Sequence, residues 1–327
     1  MQSLIDVLDN SASRHGPLVA LKQWSPRGVR SWSYTELAAA TRRVAATLQR
    51  RGIQHGDRMV LWGPSGPDWV AVFFGCLRAG AILVPLDLRS KDDFLARVVN
   101  KTKARYIIAG HDQREIAAGI GPEVLPLEEL AGCAEERACS PREARLSEED
   151  VALVVFTSGT TGAPKGVVLS HRNLVANLGA VSQVVPCTPD FRLLSLLPLS
   201  HMFELTIGLL APLRGGASIT YVDSLQPASI FQAMKEEGVT CMACVPQVLQ
   251  LFMAGVEREV ARKGQEHRWR LAHRVATLLP FGLRRHLFQE LHQRLGGRFQ
   301  FFVCGGAHLD PELASKWERV GIKVLQG

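Results

Sequence analysis

The ten residues TSGTTGAPKG, 157–166, contain four hydroxyl side chains, three glycines and a lysine, directly after the apolar run VALVVF. Glycines let a backbone turn tightly and bring its amide groups against an anion. Hydroxyl groups add hydrogen-bond donors, and the lysine adds a positive charge. At the end of a buried strand, this composition predicts a phosphate-binding loop, and a triphosphate is its natural ligand.

Two well-known phosphate loops do not fit this stretch. The Walker loop, G-x-x-x-x-G-K-[ST], requires a glycine before its lysine and a hydroxyl residue after it. Here Pro164 precedes Lys165 and Gly166 follows it. The dinucleotide-binding pattern G-x-G-x-x-G is also absent from this turn. The alternative is a loop that merely connects a strand to a helix, but such loops seldom combine TSGTTG with a following PKG. We place Lys165 on a solvent-reaching loop.

The overall composition is that of a soluble globular protein. The 327 residues are 46% hydrophobic and 21% charged, which allows one large domain or two ordinary ones with a sizeable core. No apolar run is long enough to cross a bilayer. The first residues, MQSLIDVLDNSASRHG, carry acids and helical apolar spacing instead of a basic leader. These features predict a cytoplasmic protein.

The cysteines do not suggest a disulfide framework. There are seven, and an odd number would leave one unpaired. Cys241 and Cys244 form a C-x-x-C that could be redox active or bind a metal. A structural role is favoured, because the two lie in the apolar stretch VTCMACVP without a second pair or a neighbouring histidine.

The net charge of +7 is concentrated in one segment. Residues 258–298 hold ten Arg and Lys against three Glu, together with leucines spaced by four. This pattern predicts one or two basic amphipathic helices. A basic helix with an apolar stripe suits an anionic membrane surface, whereas a helix packed on the core with a solvated basic face is the plainer alternative. No recognised nucleic-acid motif accompanies the charge, so nucleic acid is not an expected partner.

The rest of the chain alternates apolar runs with amphipathic segments. Ser33 opens SYTE, a Ser-x-x-Glu capping box, and predicts a helix that runs to Gly52. The runs DRMVLW, AILVPLD, YIIAG and VALVVF are typical of strands and are separated by helical segments. This alternation predicts an α/β fold with stacked, mostly parallel sheets flanked by helices. In such sheets, ligands bind at the carboxyl ends of the strands.

The alternation is interrupted once. From residue 122 to residue 150 the sequence becomes rich in Glu and contains Pro, which predicts a surface connection. We therefore expect a first α/β part over 1–150 and a second over 151–327. The second part carries the phosphate loop and the basic insertion 258–298.

The stretch TSGTTGAPKG resembles the phosphate-binding signature of the adenylate-forming (AMP-binding) enzymes, the superfamily of acyl-CoA synthetases, luciferase and peptide synthetase adenylation domains. Other segments agree in the same order, namely the opening region from YTELAAATRR to ILVPLD, then LLPLSHMFE, then VCGGAHLDPELASKWERVGIKVLQG. The similarity spans nearly the whole chain and is greatest to the N-terminal part of long-chain fatty acid acyl-CoA synthetases. It implies a luciferase-like N-terminal domain.

The resemblance implies that a carboxylic acid is activated to acyl-AMP with ATP and Mg²⁺ and is then passed to coenzyme A. It assigns the catalytic roles to Lys165, Thr160 and His201. The phosphate-binding residues it implies are Thr157, Ser158, Gly159, Thr160, Thr161, Gly162 and Lys165, with Thr161 as a magnesium ligand. The residues it implies beside the adenine and the acyl group are His201, Gly305, Gly306, Ala307, Gln326 and Gly327.

One departure from the family pattern concerns the glycine turn. The more common sequence at this turn is SGGAP, but here Cys304 replaces the serine and His308 replaces the proline. Side-chain contacts at this turn are therefore expected to differ, while the backbone role of the glycines is kept.

The basic insertion resembles long-chain enzymes, so a fatty acid and coenzyme A are the expected small-molecule partners, with peripheral membrane contact through 258–298. The alternative is a ligase that transfers the acyl group to an acyl carrier protein instead of coenzyme A. In the family, a Tyr-Gly-x-Thr-Glu turn, a ribose-binding aspartate and a small C-terminal domain with an adenylation lysine follow VLQG, and these are not among the 327 residues. We expect these residues alone to be inactive, either as the front of a synthetase or as a noncatalytic nucleotide-binding remnant.

Overall fold

The computed structural model describes residues 3–132, 144–157 and 164–327. The strands are β1 (Val19–Ser25), β2 (Gly28–Ser33), β3 (Arg58–Trp62), β4 (Ile82–Pro85), β5 (Tyr106–Ala109), β6 (Glu123–Pro126), β7 (Val151–Thr157), β8 (Lys165–Ser170), β9 (Arg192–Ser195), β10 (Ser218–Val222), β11 (Cys241–Cys244), β12 (Phe301–Cys304) and β13 (Lys323–Gln326).

The helices alternate with these strands. They are α1 (Leu4–His15), α2 (Tyr34–Arg50), α3 (Pro67–Arg78), α4 (Asp92–Thr102), α5 (Arg114–Ala118), α6 (Leu127–Gly132), α7 (His171–Val184), α8 (Ala211–Gly215), α9 (Pro227–Glu237), α10 (Pro246–Arg262), α11 (Glu266–Leu278), α12 (Phe281–Leu287), α13 (Gln289–Arg294) and α14 (Pro311–Arg319). A π-helix, Glu204–Leu210, leads directly into α8. In the part of the chain that the structure describes, no helix combines the length and the apolar composition that a membrane crossing requires.

Two sheets organise the fold. One has six strands in the order β6-β5-β3-β4-β7-β8, parallel throughout except for the antiparallel pair β7 and β8. The other has seven strands in the order β13-β12-β11-β9-β10-β1-β2, in which β9, β11, β12 and β13 are parallel neighbours. The predicted α/β class with mostly parallel sheets is confirmed.

By internal packing the chain divides into two compact units. The first consists of Met1–Gln23, Arg30–Pro189 and Pro198–Ser218, and the second of Trp24–Val29, Asp190–Leu197 and Ile219–Gly327. The first unit includes residues 151–189. The division between the two units therefore does not fall at residue 150, where the sequence predicted a boundary.

Local sequence signals explain the helices that cover the first sheet. Ser33 caps α2 as predicted, because its side chain accepts from the backbone of Glu36 while the Glu36 carboxylate accepts from the Ser33 amide. α3 is buried along almost its whole length, as its apolar composition requires. Gly75 allows the close approach of α2, since a Cβ there would lie 2.4 Å from a Val44 methyl group.

The core of the second unit is built largely from helices around β11 and β12. Phe299, Phe302 and Trp317 are buried at its centre. The ring centroid of Phe302 lies 4.6 Å from that of Phe299 and 5.0 Å from that of Trp317. The basic segment contributes Phe288 and Leu291 to the same core. This segment was expected to form one or two helices, but it contains the end of α10 followed by α11, α12 and α13.

Three further features differ from the sequence prediction. The hairpin of β1 and β2 was not predicted, and neither was the strand β8, which contains Lys165. Part of the expected surface connection is regular structure, because residues 123–132 form β6 and α6. β6 pairs with β5, and Leu125 and Leu130 are buried. Pairing at the edge of the sheet therefore orders a segment whose composition indicated a loop.

Candidate functional site

The phosphate-loop sequence lies between two antiparallel strands. Thr157, the last residue of β7, is paired with Lys165, the first residue of β8. Strand β8 separates this sequence from the next helix, because α7 begins only after β8. The predicted phosphate-binding residues Ser158, Gly159, Thr160, Thr161 and Gly162 lie outside the described residues, so their roles stay predictions.

The base of this loop is held by a residue that sequence reasoning missed. Lys101 in α4 donates from Nζ to the carbonyl oxygen of Pro164 at 2.7 Å. Pro164 itself is buried, whereas Lys165 is exposed at the start of β8. Pro164 is thus held against α4, and Lys165 next to it faces solvent.

His201 lies just before the π-helix Glu204–Leu210. Its backbone amide donates to the Pro198 carbonyl at 3.0 Å, and its carbonyl accepts from the amide of Leu205 at 2.9 Å. The preceding segment is held in place because the amide of Leu199 donates to Ser65 Oγ at 3.0 Å. The His201 side chain is 55% exposed, so the ring reaches solvent from a fixed backbone.

The ring of His201 is oriented by Asp87. Its Nε2 lies 2.8 Å from Asp87 Oδ2. Asp87 follows β4 and also accepts from Arg89 through the backbone amide at 2.8 Å, through Nε at 3.1 Å and through a terminal nitrogen at 2.8 Å. Since an ionised carboxylate only accepts hydrogen bonds, Nε2 of His201 carries the hydrogen and Nδ1 faces away from Asp87.

The carboxylate of Asp87 stays ionised over a wide pH range. Burial alone would raise its pKa, but the hydrogen bonds from Arg89 and His201 outweigh burial and lower the pKa from 3.8 to about 2. The indole of Trp62 at the end of β3 donates to the Asp87 carbonyl at 3.1 Å and fixes the backbone. Asp87 was not among the predicted site residues. Its position at the end of the strand AILVPLD was the available signal.

These residues share one edge of the six-stranded sheet. β3, β4 and β7 are parallel neighbours, so their carboxyl ends point the same way. Trp62, Asp87 and Thr157 stand at or just beyond those ends. The first unit therefore places the His201–Asp87 pair and the start of the phosphate-loop sequence at the edge where ligands bind in parallel sheets.

The predicted adenine and acyl residues 305–307, 326 and 327 lie at the carboxyl ends of strands in the seven-stranded sheet. The register aligns Cys244, Cys304 and Gln326 across β11, β12 and β13. The amide of Gly305 donates to the Cys244 carbonyl at 3.1 Å, and that of Gly327 donates to the Cys304 carbonyl at 2.9 Å. This alignment brings together the turn 305–307 and the end of β13. The remaining residue of the predicted adenine and acyl set, His201, belongs to the first unit.

The glycine turn combines a fixed start with an open continuation. Gly305 is buried, whereas Gly306 and Ala307 are exposed. Gly306 has a φ of +78°, a left-handed conformation that favours glycine. The turn therefore begins on a buried backbone and continues on an exposed one.

The C-x-x-C sequence is not arranged as a redox pair. Cys241 and Cys244 are three apart in β11, so their side chains point to opposite faces of the sheet. Cys244 instead lies beside Cys304 in the next strand, and a hydrogen bond from Cys244 lowers the pKa of the Cys304 thiol although burial opposes this. This geometry favours a structural role for Cys241 and Cys244.

A metal site was predicted only at Thr161, which lies outside the described residues. Within residues 3–132, 144–157 and 164–327, no group of three or more His, Cys, Asp or Glu could hold a metal ion.

Comparisons with known proteins agree with this geometry. A model of the family described as AMP-binding enzyme matches residues 8–327. A feruloyl-CoA synthase from Amycolatopsis sp is 28% identical over 298 residues, covering 90% of this chain and 53% of the relative. The peroxisomal long chain acyl-CoA synthetase 7 from Arabidopsis thaliana is 26% identical over 324 residues, covering 88% of this chain and 46% of the relative.

The same fold is found in solved structures. The inhibitor-bound N-terminal domain of FACL13 from Mycobacterium tuberculosis matches with a TM-score of 0.80 at 21% identity, covering 100% of this chain and 75% of that one. The chain spans about half the length of the curated relatives it matches. The family match extends over nearly every residue, which confirms the identification made from TSGTTGAPKG and the segments that follow it. The chain belongs to the AMP-binding enzyme family, the adenylate-forming enzymes.

Proposed function

We propose that this protein activates a long-chain fatty acid, using ATP to form acyl-AMP and then transferring the acyl group to coenzyme A. The observation that carries the proposal is the family match over residues 8–327, which includes the phosphate-loop sequence. The placement of Asp87, His201 and the start of that loop at one carboxyl edge of a parallel sheet supports it. We further propose that the protein acts in the cytoplasm and touches a membrane surface.

In the first step, a carboxylate oxygen of the acid attacks the α-phosphorus of ATP, and the bond to the β-phosphate breaks. The leaving pyrophosphate takes the electron pair of that bond. Both reactants are anionic, so the site must offset charge and hold them in line. The backbone amides and hydroxyls of residues 157–162, with the exposed Lys165, are the groups proposed to do this.

In the second step, the thiol of coenzyme A attacks the acyl carbon and releases its proton to solvent. The bond between the acyl carbon and the phosphate oxygen breaks, and AMP departs with its electron pair. Mg²⁺, when bound with the nucleotide, would neutralise phosphate charge. We assign no described side chain to it.

His201 is proposed to lie beside the acid's carboxylate. Asp87 fixes the ring through Nε2, so the ring edge with Nδ1 is presented in one orientation without rearrangement. Preorganisation of this kind matters because small misplacements of a positioning group reduce rates strongly. Asp87 is therefore a positioning residue, and it acts through His201.

The proposed chain length of the substrate rests on the helical insertion. Helices α10 to α13 form a large part of the second unit's core and include the basic segment that resembles long-chain enzymes. The relatives include a feruloyl-CoA synthase and a long chain acyl-CoA synthetase, so ferulate is the acid to compare with a fatty acid.

The test is an acid panel assayed by AMP formation with ATP, Mg²⁺ and coenzyme A. The protein is expressed from its full reading frame and given palmitate, acetate or ferulate. We expect the highest kcat/KM with palmitate. A higher kcat/KM with acetate or ferulate would refute the substrate class. Acyl-AMP formation that proceeds to a carrier-protein thiol but not to coenzyme A would refute the acceptor. Nucleotide binding without turnover of any acid would indicate a noncatalytic protein.

A further inference from the structure

Two cysteines face each other at the carboxyl ends of neighbouring strands in the second unit. Cys244 is the last residue of β11 and Cys304 is the last residue of β12, and the register of these parallel strands pairs the two directly. Both are 1% exposed and belong to the same buried cluster, so their side chains lie on one face of the sheet. The backbones of two strands therefore hold the two thiols side by side.

The spacing of this pair suits a disulfide. Neighbouring strands lie about 4.8 Å apart, and disulfides join α-carbons that are roughly 4.4 to 6.8 Å apart. The Cys244 thiol donates a hydrogen bond to the sulfur of Cys304, so the two sulfur atoms are in contact. This hydrogen bond lowers the pKa of the Cys304 thiol although burial opposes the shift, and a thiolate is the form that reacts with oxidants. Both residues are thiols in the structure.

The pair lies directly under the glycine turn. The amide of Gly305 donates to the Cys244 carbonyl at 3.1 Å, so the two backbones also meet at this point. The next two residues, Gly306 and Ala307, are exposed. Local opening of this turn would admit an oxidant as small as hydrogen peroxide. A bond between the sulfurs, about 2.05 Å long, would then tie the ends of β11 and β12 together where the turn begins.

We propose that Cys244 and Cys304 are a redox-sensitive pair, which hydrogen peroxide converts to a disulfide that restrains the glycine turn 305–307. In the absence of oxidant the two thiols stay packed in the core, in keeping with their structural role. The disulfide requires neither nucleotide nor acid, so it is tested independently of the proposed function.

The reaction has two steps. The Cys304 thiolate, whose proton has gone to solvent, attacks one peroxide oxygen, the O–O bond breaks, and hydroxide leaves. The Cys244 sulfur then attacks the resulting sulfenic sulfur, and its proton departs with the sulfenic hydroxyl as water. The hydroxide takes up the proton that Cys304 released. The two sulfurs are thus oxidised by two electrons in total, and the peroxide is reduced to two molecules of water.

The test is treatment of the full protein with hydrogen peroxide, followed by alkylation, proteolysis and mass spectrometry. We expect a peptide pair linked through Cys244 and Cys304, which dithiothreitol separates again. The exchange of the Gly305 amide hydrogen, followed by NMR, should slow about tenfold in the oxidised protein, because the disulfide holds together the strands that this amide bridges.

Two matched variants serve as controls. Cys304→Ser should abolish the link, leave Cys244 open to alkylation after unfolding, and keep Gly305 exchange unchanged by peroxide. Cys241→Ser removes another buried cysteine of β11, which is 3% exposed and is paired with Phe301. This variant should form the link as the unaltered protein does. Circular dichroism should show that both variants are folded.

Several results would overturn the proposal. Peroxide that leaves Cys304 unmodified would show that the pair is sealed from oxidants. Conversion of Cys304 to a sulfinic acid without a link would show that Cys244 does not reach it. A Cys244 link to another cysteine that forms equally in Cys304→Ser would indicate oxidation of an unfolded form. Unchanged Gly305 exchange in fully linked protein would refute the restraint of the turn.

Discussion

Replacing Asp87 by asparagine tests how His201 is positioned. The substitution keeps the side-chain volume and removes the charge. Asp87 accepts from His201 Nε2 at 2.8 Å, and a carboxylate can do this only if Nε2 carries the hydrogen. The new amide can instead turn its NH₂ group toward His201, which would then accept through a bare Nε2. We expect the neutral ring of His201 to change from the Nε2–H to the Nδ1–H tautomer.

The expected magnitude follows from the hydrogen bonds of Asp87. A hydrogen bond to a charged group contributes about 1.5 to 3 kcal/mol, so the Nε2–H tautomer of the unaltered protein should be favoured by about tenfold to a hundredfold. The fall in the pKa of Asp87 from 3.8 to about 2 corresponds to about 2 kcal/mol of folding stability. Because Arg89 is 78% exposed, screening reduces this contribution to about 1 kcal/mol.

The pH dependence has a definite sign. The pKa of Asp87 is lower in the folded protein, so its contribution to stability is fully present above the unfolded pKa of 3.8 and is lost as the pH falls through about 2. Urea unfolding should therefore show Asp87→Asn less stable by about 1 kcal/mol at pH 7, with roughly half of that difference at pH 3.

Two measurements test the positioning role of Asp87. Nitrogen-15 NMR of labelled histidine reports the tautomer directly, and urea titrations at the two pH values report the stability difference. An unchanged His201 tautomer in Asp87→Asn, or a stability difference that does not shrink in acid, would refute the positioning role. In the acid-activation assay the variant should lose kcat more than it raises KM, because geometry rather than ground-state binding is altered.

The remaining predictions concern the loop and the backbone. Lys165→Ala should slow adenylation by tenfold or more, roughly the cost of one phosphate-binding charge, without lowering Tm. Lys101→Met should raise the KM for ATP severalfold in steady-state kinetics, since the loop base loses its hydrogen bond. Gly296→Ala should cost more than about 2 kcal/mol in unfolding experiments, because its Cβ would lie 2.4 Å from the Met234 carbonyl oxygen at a φ of +86°. Gly297→Ala, at a φ of +74° with open space, should cost only about 1 kcal/mol.

Strong local signals made much of the fold predictable. The capping box at Ser33 and the apolar run of α3 each determine an element without help from distant residues. Their alternation with strands was sufficient to predict parallel sheets and hence the edge where ligands bind. The glycine turn 305–307 directly follows β12, at the end of a strand.

Elements that depend on distant pairing were not predictable. β6 contains Glu123 and Pro126, which indicate a loop, and it becomes a strand because β5 offers an unpaired edge. The hairpin of β1 and β2 is short, and most of β2 is exposed, so it lacks a clear alternating pattern.

The partner of His201 could not be found for the same reason. Asp87 is 114 positions away in sequence, and no local pattern connects the two residues. Only the arrangement of β4 and the segment before the π-helix within the first unit brings them within hydrogen-bonding distance.

The phosphate-binding role of residues 158–162 can be tested by a crystal structure of the protein with a nonhydrolysable ATP analogue. We expect the β- and γ-phosphates to lie against residues 158–162, within reach of Lys165. ATP bound elsewhere, with those residues free of phosphate, would show that this assignment is wrong.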